Sequence, residues 1–451
     1  MASLTLSKAP SSASTRARDY WSRGLPWVGK GSLAVLDQGL IAGSNFLIGL
    51  LLARWLVPEQ YGAYALAFSI FLFASGFHNA LLLEPMSVFG LTSYGKCLPA
   101  YLGKLLRLHF VLAFFLTGLV AAGIAVLHYF TADRALTSAL WGVCLATPLI
   151  LFFWLCRRAA YIKLAPGLAA RGALAYCLVV VCLLLLIQSV GWLSGFTAFL
   201  IQALAATAAA LLLLASLRSR LDSQSGPSSS AVLRQHWRYG RWVVATAFVY
   251  WLSGNAYYVL VAAFLPMKDV AALRALQNFN LPFGQFITAI SLLVLPWASA
   301  RFAEEGRVGF QHRIRQITVL FVAGASAYYA VLWLFGGRIM AILYAGRYTD
   351  FAYLLPLAAA PVVVLAASQG STIAVQAMQA PAEVFLAYSV SGTLTILAGV
   401  ALARYLGLAG ALIGILASYL SFCIVITWRC RRKLGRVLSI ELSENGQELA
   451  R

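Results

Sequence analysis

The sequence predicts an all-α protein that crosses a membrane about twelve times. Of its 451 residues, 61% are hydrophobic and only 11% are charged, whereas globular proteins average about 25% charged residues. A helix needs about 20 mostly apolar residues to cross the hydrocarbon core, and about twelve such segments follow one another along the chain. Lys and Arg are concentrated in every second loop between these segments, as expected for cytoplasmic loops.

The apolar segments fall into two groups of six, separated by a polar break. The break contains the run SQSGPSSS, which has the composition of a flexible linker. The predicted spans are 32–53, 61–83, 108–127, 136–155, 168–188 and 193–217, followed by 242–265, 270–295, 316–336, 351–377, 382–402 and 408–428. We therefore predict a basic N-terminal segment at 1–31, an N-lobe at 32–217, a linker at 218–241, a C-lobe at 242–428 and a tail at 429–451.

The basic residues give the orientation. If the N-terminus is cytoplasmic, 27 of the 34 Lys and Arg residues lie on the cytoplasmic side and 7 on the outer side. Such an excess marks cytoplasmic loops, so both termini are predicted to be cytoplasmic. The net charge of +20 is spread over loops between apolar runs, which argues against a nucleic-acid partner.

Catalytic and metal-binding signatures are lacking in the sequence. The longest outer connection, about 337–350, is too short to fold into a catalytic domain. The five histidines and seven cysteines form no CxxC, HExxH or His-x-His spacing. We therefore predict no enzyme activity and no bound cofactor or metal.

The two halves also contain a weak internal repeat. The segment LLLARWLVPEQYGAYALAF is similar to LVAAFLPMKDVAALRALQN in the second half. Each has an apolar run, a break with a proline and an acid, and a helix start rich in small residues. Repeats of this kind occur in transporters whose substrate site lies between two lobes.

The repeat segment carries a resemblance to a known family. Ala53, Arg54, Leu56, Pro58, Gly62 and Tyr64 match the N-terminal pattern of polysaccharide flippases in the multidrug/oligosaccharidyl-lipid/polysaccharide exporter superfamily. The segments LLVLPWASARF and ILYAGRYTDFAYLLPLAA resemble later parts of that family. The resemblance implies a MATE-like flippase fold with two lobes related by a pseudo-two-fold axis.

The resemblance also implies a function. Members of the family move an undecaprenyl-diphosphate-linked oligosaccharide from the cytoplasmic to the outer leaflet of the bacterial inner membrane by alternating access. The expected partners are this substrate, membrane lipids, and a polysaccharide polymerase with its chain-length regulator; H⁺ or Na⁺ is the expected coupling ion, if one is used. Many relatives have an acid followed by Arg in span 7, where this chain has Asn255 and Tyr258, so a coupling site there is not implied.

Two arginines are the predicted contacts for the substrate diphosphate. An unpaired diphosphate in hydrocarbon is prohibitive, and the planar guanidinium donates two hydrogen bonds to a phosphate at once. Arg274 and Arg54 lie at matching places in the two halves. The alternative is that each anchors its helix at the outer interface by snorkelling.

Two acids are candidates for ion coupling or gating. Asp37 is the only acid well within a predicted span, and it binds a proton or cation, pairs with an arginine, or serves as an interfacial cap. Glu84, followed by Pro85, is predicted to close span 2 at its cytoplasmic end, where it acts as a gate or simply terminates the helix.

Polar side chains form a series along spans 7 and 8. Asn255, Gln277, Asn278 and Asn280 are predicted to face protein or water rather than lipid. They hydrogen-bond sugar hydroxyls, with nearby aromatic residues stacking on the sugar rings, or they join neighbouring helices.

Two rival functions remain: a MATE-type multidrug exporter, which favours acids in its cavity, and a membrane-embedded polymerase or glycosyltransferase, which needs a larger outer loop or paired carboxylates.

Overall fold

The computed structural model describes residues 13–130, 133–217, 227–304, 306–378 and 380–448. It is 93% helical, and the described ranges contain no strand, which confirms the predicted all-α class. The first half contains α1 Ala13–Trp55, α2 Pro58–His78, α3 Glu84–Thr92, α4 Leu98–Phe130, α5 Arg134–Ile162, α6 Pro166–Ser189 and α7 Gly195–Leu217. The second half contains α8 Ser229–Gly254, α9 Ala256–Phe264, α10 Met267–Asn278, α11 Asn280–Glu304, α12 Gly306–Leu343, α13 Leu355–Ala377, α14 Pro381–Leu394 and α15 Val400–Glu448.

The helices are compatible with the twelve predicted crossings. Within the described ranges, nine helices are long and apolar enough to span a membrane, and α8 with α9, bent by 43°, makes a tenth. The stretch Pro381–Gly435 has 55 residues, about 80 Å at ~1.5 Å per residue, against a hydrocarbon core of ~30 Å. It breaks at Gly407, where φ is 63°, and so forms two crossings. We count the pair α10 and α11 as one further crossing after the predicted topology, which brings the number to twelve.

The two halves repeat the same helix packing. In the first half, α1 packs on α6, α4 on α5, α5 on α7, and α6 on α7. In the second half, α8 packs on α14, α12 on α13, α13 on α15, and α14 on α15. Each half is therefore a lobe of six crossings with equivalent internal contacts.

The internal repeat corresponds to a shared backbone break. Val57 and Pro266, directly before α2 and α10, are both extended, with ψ of 151° and 155°. Each break restarts the chain as a helix at the same end of its lobe, and α2 packs directly on α10. The two copies thus meet at the interface between the lobes, at what we call the outer end, after the predicted orientation.

Several predicted spans were too short. The second crossing continues through the π-helix Asn79–Leu83 into α3 and ends at Thr92, so the prediction that Glu84 and Pro85 close it is wrong. Helix α8 begins at Ser229, inside the predicted linker 218–241. Residues 1–12, 218–226 and 449–451 of the predicted N-terminal segment, linker and tail lie outside the described residues.

A contact between the lobes explains how the helix passes through Pro85. Proline has no N–H to donate to the carbonyl four residues earlier, which belongs to Leu81. That carbonyl instead accepts a hydrogen bond from Nδ1 of His236 on α8, at 2.9 Å. Nε2 of the same ring accepts from the Tyr101 hydroxyl at 2.7 Å. The carbonyl freed by proline is therefore satisfied by the opposite lobe.

A hydrophobic cluster shows that the lobes share an apolar core at the outer end. One buried cluster joins the core of the N-lobe to α9, α10 and the end of α12, at the outer end. A separate buried cluster fills the other half of the C-lobe and includes Phe283, Phe310 and Phe422. The apolar core is thus continuous across the lobes at the outer end.

Candidate functional site

The outer end is closed by a backbone contact at Gly62. A Cβ added to Gly62 would lie 2.1 Å from the carbonyl oxygen of Met267 at the start of α10. No side-chain rearrangement relieves a clash with backbone, so only glycine permits this approach of α2 to α10. This glycine belongs to the segment that carries the internal repeat.

We expect Gly62→Ala to hold the outer end open. In a cysteine-free background, a cysteine placed at Gln277 should become reactive to a membrane-impermeant maleimide added from outside. Gly118→Ala is the matched control, because a Cβ at Gly118 meets no atom within 4 Å. Equal labelling of the Gly62 and Gly118 variants would contradict the closure assigned to this contact.

Arg274 lies behind this contact, on α10. It is only 8% exposed, and its guanidinium lies over the ring of Phe68 from the N-lobe, 4.9 Å from the ring centroid. Its Nη1 is 3.5 Å from the Tyr258 hydroxyl, and its Nε is buried without a hydrogen-bond partner. Among the described residues, no carboxylate forms an ion pair with it. Arg274 is therefore a buried cation held only by neutral groups.

A group of tyrosines and amides surrounds Arg274. Tyr61 and Tyr64 come from α2 in the N-lobe, and their rings are 6.4 Å apart. Asn278 donates to the hydroxyls of Tyr61 at 3.0 Å and Tyr344 at 3.4 Å. We call Arg274, Tyr61, Tyr64, Tyr258, Gln277, Asn278 and Tyr344 the Arg274 cluster. It joins both lobes with hydroxyl and amide groups.

The predicted polar series is divided by the structure. Gln277 accepts a hydrogen bond from Tyr258 at 2.6 Å, and the Asn278 carbonyl oxygen is buried without a partner, so both belong to the Arg274 cluster. Asn280 follows the break at Phe279 and donates to the Ala358 carbonyl at 2.8 Å. Asn255 marks the bend between α8 and α9. Asn280 thus fits the helix-joining alternative.

Asp37 is paired with an arginine. Its side chain is completely buried and accepts from Arg157 Nε at 3.2 Å, as well as from Arg157 Nη2 and from the Tyr161 hydroxyl at 2.6 Å. Arg157 and Tyr161 lie on α5, so this group joins α1 to α5 within the N-lobe. Of the roles weighed for Asp37, the structure shows the ion pair with arginine.

Glu84 faces the opposite lobe. Its Oε1 accepts from the Tyr239 hydroxyl on α8 at 3.3 Å, next to the His236 contact with Leu81. This places Glu84 in the contact between α3 and α8, within a continuous crossing rather than at its end.

Arg54 does not join the Arg274 cluster. It is exposed in the last turn of α1 and forms no hydrogen bond, ion pair or ring contact with the described residues. At this end of the interface, Arg347 instead donates to the Leu56 carbonyl across the lobes. The position of Arg54 fits the anchoring alternative.

Sequence reasoning missed the aromatic part of the cluster. Tyr61 and Tyr64 are three residues apart on α2, which is a helical spacing. Tyr61 and Tyr64 therefore present two rings on one face of α2. Tyr344 lies in the turn that follows α12, where the sequence pattern gives no such signal. No group of three or more His, Cys, Asp or Glu side chains converges within the described part of the chain.

Solved structures share this architecture. The chain is similar to an inward-facing multidrug resistance MATE family transporter of the MOP superfamily, with a TM-score of 0.75 at 14% identity, covering 89% of this chain and 96% of that one. The chain has the MATE fold. The outward-facing conformation of a MATE family transporter gives a TM-score of 0.63 at 14% identity, covering 91% and 95%.

A third structure with the MATE fold is a MOP superfamily transporter from Pyrococcus furiosus, described as having a binding pocket of reverse polarity that suggests a different function. It has a TM-score of 0.65 at 14% identity and covers 90% of this chain and 95% of that one. No protein-family model matches the sequence, and no curated protein matches it. These comparisons and the apolar helices identify a multi-pass membrane protein with the MATE fold.

Proposed function

We propose that this protein is a flippase that moves an anionic, lipid-linked oligosaccharide across the bacterial inner membrane by alternating access. The observation that carries the proposal is Arg274, a buried guanidinium at the lobe interface without a carboxylate partner. A lone buried charge is costly, and an anionic ligand removes that cost. An undecaprenyl diphosphate bears the required charge, and its lipid tail stays in the bilayer.

Three acids of the described helices are already engaged with other side chains, which disfavours a cation exporter as the first choice. Asp37 is paired with Arg157 inside the N-lobe, and Glu383 is paired with Arg429. Glu84 is hydrogen-bonded to Tyr239. The Pyrococcus furiosus transporter, with its pocket of reverse polarity, is a precedent for different pocket chemistry on this fold. A multidrug exporter is the second candidate, because the multidrug resistance transporters described above have the same fold as this chain.

The remaining parts of the proposal follow from the sequence. Both termini are cytoplasmic, the substrate moves from the cytoplasmic to the outer leaflet, and the product supplies surface polysaccharide synthesis. A polymerase with its chain-length regulator would use the flipped substrate, and H⁺ or Na⁺ is the candidate coupling ion. No enzymatic step is assigned to the chain.

The proposal is tested with the purified protein in liposomes. We expect a polyprenyl-diphosphate oligosaccharide, labelled on its sugar, to become accessible to a membrane-impermeant lectin from the opposite leaflet at least tenfold faster than in protein-free vesicles. The cation ethidium should not be transported. Transport of ethidium without movement of the lipid-linked sugar would overturn the proposal in favour of an exporter.

A further inference from the structure

A second polar site lies inside the C-lobe. A cavity of about 340 Å³ is lined by residues of α8, α11, α13, α14 and α15, none of which is charged. Nine of the fourteen lining residues carry a hydroxyl or an amide group. Because a site that faces only lipid tails would be lined by apolar groups, this lining suits a neutral, polar ligand.

The cavity contains hydrogen-bonding groups that have no partner. The hydroxyls of Tyr250, Tyr388 and Tyr419 and the amide of Gln376 line it, and none of them forms a hydrogen bond with the described residues. Other polar groups of the lining are already used: Ser253 donates to the Val249 carbonyl of its own helix at 2.8 Å. The four unpartnered groups are thus available to a ligand.

The same wall presents aromatic faces. Tyr388 stacks on Phe422 with ring centroids 4.2 Å apart, and Tyr250 meets Tyr388 edge-on at 5.2 Å. Flat rings beside hydroxyl and amide groups match a sugar ring, which has apolar C–H faces and a rim of hydroxyls. A phosphate would need a cation, and a cationic drug would need an acid; the lining has neither.

The cavity adjoins the Arg274 cluster through α8 and α9. The Tyr419 hydroxyl is 3.9 Å from the place where a Cβ of Gly254 would be. Gly254 ends α8, and Tyr258, about one helical turn further on, contacts Arg274 at 3.5 Å. The neutral cavity and the buried cation therefore lie on either side of one short helical turn.

We propose that the C-lobe cavity binds uncharged sugar residues of the transported lipid-linked oligosaccharide, while the Arg274 cluster binds its diphosphate. This inference rests on the proposed flippase function and adds the part of the substrate that the cavity recognises. Discrimination between glycans then resides in the cavity, whereas the diphosphate contact is common to all substrates of this class.

The test compares two probes that differ only in sugar. One is a polyprenyl diphosphate carrying a neutral disaccharide, and the other is the same polyprenyl diphosphate without sugar. The double variant Tyr419→Phe/Gln376→Leu removes two unpartnered polar groups with little change in volume. Since each neutral hydrogen bond contributes about a factor of five to ten, movement of the glycosylated probe should slow at least tenfold, with the bare probe unaffected.

The matched control is Tyr405→Phe, at an exposed position of α15, which should alter neither rate. Equal slowing of both probes, or no slowing of either, would overturn the inference. If the wild type moves neither probe, the proposed flippase function fails. The cavity is then judged by calorimetry with maltose as the probe: binding lost in the double variant supports a sugar site, and absence of wild-type binding rejects it.

Discussion

Replacing Arg274 by methionine is expected to stabilise the protein and inactivate it at the same time. Methionine has a similar length and removes a buried charge that no described carboxylate compensates, so the free energy of unfolding should rise by about 1–3 kcal/mol. Under the proposed function, a charge-assisted contact with the diphosphate would contribute about 1.5–3 kcal/mol, so transport should fall roughly 10- to 150-fold. Thermal unfolding in detergent and the liposome assay measure the two effects.

The opposite signs of these effects distinguish a binding residue from a structural one. A structural arginine would lose stability and transport together on substitution. Arg404→Met is the matched control, because Arg404 is exposed in the same lobe; it should change stability by less than about 0.5 kcal/mol. A destabilised Arg274→Met protein would refute the assignment of an uncompensated cation.

Replacing Asp37 by asparagine is expected to destabilise the N-lobe strongly. The change leaves Arg157 without its carboxylate in a buried position, which typically costs about 3–5 kcal/mol. The side chains of Asp37 and Arg157 are 0% and 12% exposed, so solvent offers little compensation. Thermal unfolding in detergent should show a lower transition temperature.

The double variant Asp37→Leu/Arg157→Met should recover most of the lost stability, because it removes both charges together. Glu383→Gln is the comparison: 10% and 27% of the Glu383 and Arg429 side chains are accessible, so water reaches the unpaired Arg429 more easily and the loss of stability should be smaller than in Asp37→Asn. The contrary outcome is an Asp37→Asn protein of normal stability whose transport rate no longer depends on pH. That result would make Asp37 a coupling residue.

The sequence predicted the all-α fold and its many membrane crossings better than it predicted contacts between residues. Apolar length and the distribution of Lys and Arg follow directly from the bilayer, so the crossings were found. Helix ends were predicted less accurately. Pro85 was predicted to end its helix, but His236, 151 positions later in the sequence, donates to the carbonyl that proline leaves without a partner.

Long-range pairing limited the prediction of the site. Arg157 was counted among the loop residues that set the orientation, whereas the structure pairs it with Asp37, 120 residues earlier. Asn278 reaches Tyr61 over 217 residues of sequence. Helical spacing shows that Tyr61 and Tyr64 share a face, but the packing of α2 on α10 determines what that face meets.

The buried charge of Arg274 has an electrical consequence under the proposed function. An empty site carries one positive charge, whereas a bound diphosphate brings more negative charge than one guanidinium neutralises. A membrane potential contributes about 2.3 kcal/mol per charge per 100 mV. With the cell interior negative, the negatively charged loaded site is driven outward and the positively charged empty site is driven inward. The membrane potential therefore accelerates both the outward movement of substrate and the return of the empty protein.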